Sequence, residues 1–267
     1  MPAAYPILPK LPPRQSRNWR LGSTSYVYPD EILPNVEALA GRVEDVELVL
    51  FESPEFANLP SPAVVDRLAE IGRANGMTYS IHLPIDRDLG DPDPAVRRTF
   101  IDQAIRILDL MAPLPAPVVL LHMQGVEADV PPARVTQWQD DISRELERLL
   151  ASGVDPHRLC VENLRNPFEW NEPLVERFGL SVCVDVGHLW LQGRDAAAHI
   201  RKHFNRVRAI HLHGERDGKD HISLAKCDQV RLRSFVDALD GYDGLVSLEV
   251  FSFDDTASSI ECLKGML

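Results

Sequence analysis

The sequence predicts an α/β chain closed into a single (β/α)8 barrel, the TIM-barrel architecture, and three observations carry that reading. Eight short apolar runs rich in β-branched residues alternate with segments of helical periodicity between residues 20 and 265, as expected of a parallel sheet covered by helices. An alternation of this count in a chain of this length fits one barrel. The turn after the first run reads GSTSYVYPD and holds no GxGxxG, whereas a doubly wound open sheet, the competing arrangement, usually places a glycine-rich phosphate loop there.

Taken in order, residues 1–19 hold five prolines and no uninterrupted apolar stretch. We expect a loosely ordered lead-in there rather than a signal peptide, with the barrel domain spanning residues 20–267. The strand-like runs are RLGSTSYV (20–27), VEDVELVLFES (43–53), TYSIHLPI (78–85), VVLLHMQG (118–125), RLCVENL (158–164), LSVCVDVG (180–187), VRAIHLHG (207–214) and LVSLEVFS (245–252). Between them the helices are punctuated. Ser61-Pro62 is an N-cap followed by proline at the first helical position; Val65, Leu68, Ala69 and Gly72 follow at helical spacing, and Gly76 closes the segment. Asp93-Pro94 repeats the start signal ahead of a buried stripe of Phe100, Ile101, Ala104, Ile105, Leu108 and Met111. Val135, Trp138, Ile142, Leu146 and Leu149 form another stripe between Pro132 and Gly153, and shorter helices are expected near 172–178, 195–204, 229–239 and 255–266.

Composition narrows the function. Hydrophobic residues make up 45% of the chain, ample for one large core, and 28 basic against 40 acidic residues leave a net charge of −12. A surface of that sign opposes binding to nucleic acid, which needs a basic stripe, and to anionic membranes. No run approaches the ~18 apolar residues of a membrane span, so we expect a cytoplasmic protein with a small-molecule substrate. Cys160, Cys183, Cys227 and Cys262 lack CxxC spacing and suggest neither a disulfide framework nor a zinc finger.

Against this apolar background the strand ends are conspicuously polar. The run VCVDVGHLW (182–190) places Asp185, then Gly187 and His188, in a segment otherwise built for burial. A lone buried carboxylate is costly unless paired, hydrogen-bonded or bound to a cation. The same pattern recurs: His82 ends the third run, His122 the fourth, Glu162 and Asn163 the fifth, His211 and His213 the seventh, and Glu249 the eighth. In a barrel these positions share the C-terminal rim, where chemistry sits. Three carboxylates converging without cations would repel strongly, and carboxylates with imidazoles form the ligand set of Zn²⁺ or Mn²⁺. We expect Gly187 to let the strand leave its pleat so that His188 swings back over the mouth.

This ordered series, His82, His122, Glu162, Asp185-x-x-His188, His211, His221, Glu249, resembles the xylose isomerase-like barrel superfamily, which includes the endonuclease IV-type hydrolases and the sugar isomerases and epimerases. The resemblance implies one to three divalent ions. His82, His122 and Glu162 would hold the first, and Glu162, Asp185, His211 and Glu249 the second. His188 and His221 would share the third with an aspartate. The hydrolase branch carries Asp-x-His at the third site, whereas KDHISL places Lys219 two residues before His221, so Asp220 or Asp217 would have to substitute.

Two chemistries follow. With one ion at Glu162, Asp185, His211 and Glu249, the site would suit a sugar isomerase or epimerase, the two glutamates shuttling a proton and His188 and Arg216 holding substrate. With His82 and His122 also engaged, paired ions would suit phosphodiester hydrolysis, the reading the residues favour, with Glu162, Glu249 and His188 as catalytic groups. The strings GSTSYVYPD, VLFES, YSIHLPID and HLHGERDGKDHISL are similar, as a set, to the cobamide-remodelling phosphodiesterases. That resemblance implies a corrinoid substrate, with Tyr26, Tyr28, Phe51, Trp190 and Phe253 facing its ring. Glu52 would orient a substrate hydroxyl, with a structural salt bridge as the competing role, and His213 and Arg216 are further candidate substrate contacts. A barrel that binds a ligand without catalysis is the remaining alternative.

Overall fold

The computed structural model describes residues 5–267. Its eight parallel strands close into a barrel. They are β1 (Arg20–Thr24), β2 (Asp45–Val49), β3 (Thr78–His82), β4 (Val118–Leu121), β5 (Leu159–Glu162), β6 (Ser181–Asp185), β7 (Val207–Leu212) and β10 (Leu245–Leu248), each pairing with its neighbours in chain order. Between β7 and β10 lies an antiparallel hairpin, β8 (Gly214–Arg216) and β9 (Lys219–Ile222), which the alternation of runs did not disclose.

The outer layer follows the start and stop signals in the sequence. In α2 (Pro62–Asn75) the Ser61 side chain accepts the Val64 N–H, and Gly76 ends the helix at φ 61°, a left-handed conformation that glycine adopts without steric cost. Asp93 caps α3 (Pro94–Leu110), and α4 (Pro132–Ala151) buries Trp138, Ile142, Leu146 and Leu149 as the stripe required. The shorter helices are α5 (Glu172–Phe178), α7 (Ala196–His203), α8 (Gln229–Asp237) and α9 (Phe253–Lys264). Two helices lacked a readable signal: α1 (Ile32–Leu39), whose N-cap position is Glu31 with no side-chain cap bond, and α6 (Val186–Leu191), which starts directly at the end of β6.

Strand alternation separates two cores. Val46, Leu48, Tyr79, Ile81, Val119, Leu121, Val161, Val182, Val184, Ile210, Leu212, Val246 and Leu248 join the large cluster beneath the helices. The alternate positions Val118, Leu120, Cys160, Cys183, Ala209 and Leu245 form a small cluster enclosed by the strands. On the β1–β3 side that interior is polar. Asp45 and Glu47 are buried there, and Asp45 accepts a hydrogen bond from Ser80 Oγ at 2.7 Å.

The lead-in is not loose where the structure describes it; residues 1–4 lie outside the described residues. Leu8 and Trp19 are buried, Tyr28 donates its hydroxyl to the Pro6 carbonyl at 2.7 Å, and Arg17 reaches Glu44 at 2.8 Å. The apolar residues among the prolines find a surface on the barrel wall, so the segment packs instead of hanging free. No helix among the described residues is long and apolar enough to cross a membrane.

Burial raises the Asp45 carboxyl from 3.8 to about 6, with the neighbouring Glu47 charge adding to the effect and the Thr78 and Ser80 hydroxyls opposing it. A raised acid pKa contributes stability that is complete below the unfolded value and is lost as pH rises through the folded one. At ~1.4 kcal/mol per unit, metal-free protein should lose about 3 kcal/mol relative to Asp45→Asn between about pH 4 and about pH 7. Denaturant unfolding of both proteins at the two pH values checks this; a difference that does not change with pH would show that folding leaves the Asp45 pKa unshifted.

Candidate metal centre

Strand parity brings the site together. Counting on from the interior-facing positions, the next inward residues at the C-terminal ends are His82, His122, Glu162, Asp185, His211 and Glu249, from six neighbouring strands or the residue just beyond them. All but His122 are buried below a tenth of their surface. Glu162 is the focus. Its Oε2 lies 3.1 Å from His122 Nε2, 3.4 Å from His211 Nδ1 and 3.8 Å from His82 Nε2, while its Oε1 is 3.7 Å from His188 Nδ1. His211 Nδ1 is also 3.2 Å from Glu249 Oε2 and 3.9 Å from Asp185 Oδ2.

The imidazoles are held from outside the cluster. His82 Nδ1 lies 2.9 Å from the Leu83 carbonyl and His221 Nδ1 lies 3.0 Å from that of Glu249. A nitrogen facing a carbonyl carries the proton, so the Nε2 lone pair of each ring is left for a cation. Asn163 clamps the end of β6 through both amide atoms, donating to the Asp185 carbonyl at 2.9 Å and accepting its N–H at 2.8 Å.

Asp185 does more than face the centre. One of its oxygens accepts the His188 N–H at 2.7 Å and so caps α6. This corrects the expected role of Gly187: His188 returns to the mouth because the first turn of a helix carries it there, not because a glycine bends a strand. Gly187 is required for space, since a Cβ on it would lie 2.0 Å from the His213 ring. His221 takes φ 49°, a left-handed backbone uncommon outside glycine. It is held by its N–H donating to His213 Nδ1 at 2.9 Å and by stacking of the two rings 4.0 Å apart.

The charges need a partner. Burial works against ionised Glu162, yet His211 and His122 hold its carboxyl well below the ordinary range. Burial likewise opposes the Asp185 charge, and His213 and His188 bring its pKa to about 2. Burial should depress His211, but Cys183 and the carboxylates of Glu249, Glu47 and Glu162 push it well above 6.5. Protons on imidazoles thus balance the acids, and a divalent cation would displace them. Buried atoms that face the centre without a hydrogen-bond partner fit such an ion: His188 Nδ1, His211 Nδ1 and Glu249 Oε2. Three groups whose ligand atoms lie within 4.8 Å of one another are His82 with His122 and Glu162, Glu162 with Asp185 and His188, and His188 with His213 and His221. At the third position, Asp220 Oδ2 lies 3.7 Å from His188 Nε2, whereas Asp217 is exposed at the hairpin turn.

Four of the expected substrate contacts lie elsewhere. His213 is fully buried with Nε2 3.1 Å from Asp185 and does not line the mouth. Arg216 is exposed on the hairpin and does not line the mouth. Trp190 is buried, with the Arg231 guanidinium over its ring. Glu52 is engaged by both of its oxygens with Arg106, at 2.7 and 2.8 Å. Tyr26, Tyr28, Phe51 and Phe253 do line the mouth, a cavity of ≈ 1450 Å³. Sequence reasoning missed Glu47, buried on β2 with its Oε2 3.3 Å from His211 Nε2. An acid inside the apolar run VELVL was the available signal, the same one that marked Asp185.

The family model described as xylose isomerase-like TIM barrel matches residues 39–266. Similar solved structures include a D-tagatose 3-epimerase-like protein, 20% identical, with TM-score 0.72 over 92% of this chain and 96% of that one. Another is 3-keto-D-glucoside 4-epimerase from E. coli, 13% identical, TM-score 0.71, over 93% and 98%. Endonuclease IV from Thermus thermophilus is 19% identical, TM-score 0.68, over 92% and 98%. At these identities the likeness establishes the fold. A comparison with curated protein sequences finds no match.

Gly187→Ala should cost about 1–3 kcal/mol of folding stability by forcing the His213 ring off Asp185. Denaturant unfolding measures it; parent-like stability would mean the ring has room to move.

Proposed function

The chain belongs to the xylose isomerase-like TIM barrel family, and from that premise we propose that it is a metal-dependent phosphodiester hydrolase. One observation supports this most: the crowd of imidazoles about Glu162. The set Glu162, Asp185, His211 and Glu249 suffices for one ion, yet His82, His122 and His188 also approach the same carboxylate. A carboxylate with nitrogen donors on both oxygens suits a bridge between ions. His82, His122 and Glu162 would hold one ion; Glu162, Asp185, His211 and Glu249 a second; and His188, His221 and Asp220 a third. Ions there would supply hydroxide at neutral pH and neutralise charge building on a phosphoryl group.

The chain's own residues narrow the substrate. Among the described residues lining the mouth, Arg165 is the single arginine or lysine, enough to face one phosphate anion. A duplex of DNA would need many such contacts, and the net charge of −12 opposes it. Tyr26, Tyr28, Phe51, Ile85, Leu191 and Phe251 give the mouth a largely apolar wall, and its ≈ 1450 Å³ exceed the ~300–1,000 Å³ usual for a small ligand. A phosphodiester on a bulky, partly apolar body fits better than a free sugar. A corrinoid is the example the sequence resemblance implies.

Epimerisation of a sugar is the second reading. It is favoured by the self-sufficient group of Glu162, Asp185, His211 and Glu249, where two carboxylates could exchange a proton across a substrate. Elemental analysis separates the two. We expect about two to three equivalents of Zn²⁺ or Mn²⁺ per chain and hydrolysis of a cobamide or a model aryl phosphodiester. His122→Ala should lose about one equivalent and at least about 100-fold in rate. One equivalent in the parent, with ketose epimerisation and no phosphodiester cleavage, would establish the second reading instead.

A further inference from the structure

Glu47 is a buried acid with no assigned work. It stands on the interior face of β2, fully buried, and neither carboxylate oxygen has a hydrogen-bond partner among the described residues. It does not line the mouth cavity, so it cannot meet a substrate. An uncompensated carboxylate at that depth is destabilising. His82 and the Ser247 hydroxyl also bear on it, and the imidazole that faces it directly is that of His211, whose Nε2 lies 3.3 Å from Glu47 Oε2.

The two ring nitrogens of His211 face opposite ways. Nε2 looks toward Glu47, and Nδ1 looks into the acids of the centre, 3.2 Å from Glu249 and 3.4 Å from Glu162. Neutral imidazole carries one ring proton. On Nε2 that proton answers Glu47 and leaves the Nδ1 lone pair facing the carboxylates that would share an ion. On Nδ1 it would leave Glu47 bare and set a lone pair against its oxygens.

We propose that Glu47 is a positioning residue that fixes His211 as the Nε2–H tautomer and aims its Nδ1 at a divalent cation held with Glu162, Asp185 and Glu249. The arrangement is a carboxylate–histidine–metal relay in which the outer acid orients the ring and raises its basicity. The inference rests on the metal reading of the site and is indifferent to whether the reaction is hydrolysis or epimerisation.

Zinc-loaded parent protein labelled with ¹⁵N-histidine provides the first test. Long-range ¹H–¹⁵N correlation should show the His211 proton on Nε2; a proton on Nδ1 overturns the proposal, including by making Nε2 the ligand with Glu47 beside it. The second test is zinc affinity, by competition with a chromophoric chelator. Glu47→Ala should bind about 10–100-fold more weakly, and Glu47→Gln, whose amide oxygen can still accept the Nε2–H, should recover part of the loss. Parent-like affinity in both variants also overturns it. A parent that binds no divalent ion would instead remove the metal reading itself, so the two failures are told apart.

Discussion

Everything in this molecule that bears on function follows from four acids inside a closed barrel. Glu47, Glu162, Asp185 and Glu249 are all buried, and like charges so placed cannot persist without compensation. In the structure that compensation is an array of imidazoles whose protons hold Asp185 near 2 and Glu162 well below the ordinary carboxylate range. Protons can be exchanged for cations at such a centre, whereas arginine partners would have locked it permanently. Away from the mouth, carboxylates pair with arginine or lysine, as between Arg106 and Glu52, Arg17 and Glu44, or Lys226 and Asp255. The distinction between exchangeable and permanent counter-charge is what separates the mouth from the rest of the surface.

Parity turns this local electrostatics into an architecture. Along most of the strands the outward residues are apolar and join the helix-covered core, so the inward positions are free to vary. At the base they are small or aliphatic, as Cys160, Cys183 and Ala209, and at the C-terminal ends they become His82, Glu162, Asp185 and His211. A one-residue slip in any strand would send its ligand out among the helices. The capping bond from Asp185 to the His188 N–H extends the same logic past the strand end, because it ties the ligand's carboxylate to the start of α6.

How much of this was legible depended on whether a signal was local. The strands, the capped helices and the rim acids and imidazoles announce themselves by pattern: Ser61-Pro62, Asp93-Pro94 and a charged residue at the end of an apolar run are short-range features. Glu47 and Asp45 carried the same signal but sat in the middle of a run, away from the rim, and were read as part of an apolar strand. Helix α6 has no independent cap residue, since Asp185 serves as both cap and rim acid. The partners of Glu52 and Trp190, namely Arg106 and Arg231, are 54 and 41 positions away in the chain. Such contacts are set by packing and leave no trace in spacing. His213 was the subtlest case, a histidine on the right strand and the right face but one step beyond the end, where the ring turns under Gly187.

The same fold serves epimerases and an endonuclease among the similar structures, so the barrel cannot by itself choose between carbon–hydrogen and phosphorus–oxygen chemistry. What distinguishes those chemistries physically is how much charge must be neutralised at once. Taking a proton from one face of a carbon and returning one to the other face asks for one polarising ion and two acid–base groups. Displacing an alkoxide from a phosphodiester gathers negative charge on several oxygens, and more than one cation is needed near them. Counting donors is therefore a more direct guide than fold likeness. His82 and His122 approach one oxygen of Glu162 and His188 the other, and on the proposed hydrolytic reading these are the donors that a single ion held by Glu162, Asp185, His211 and Glu249 would leave over. The mouth above them is largely apolar with one arginine among its described lining residues, so the charged groups are concentrated at its floor.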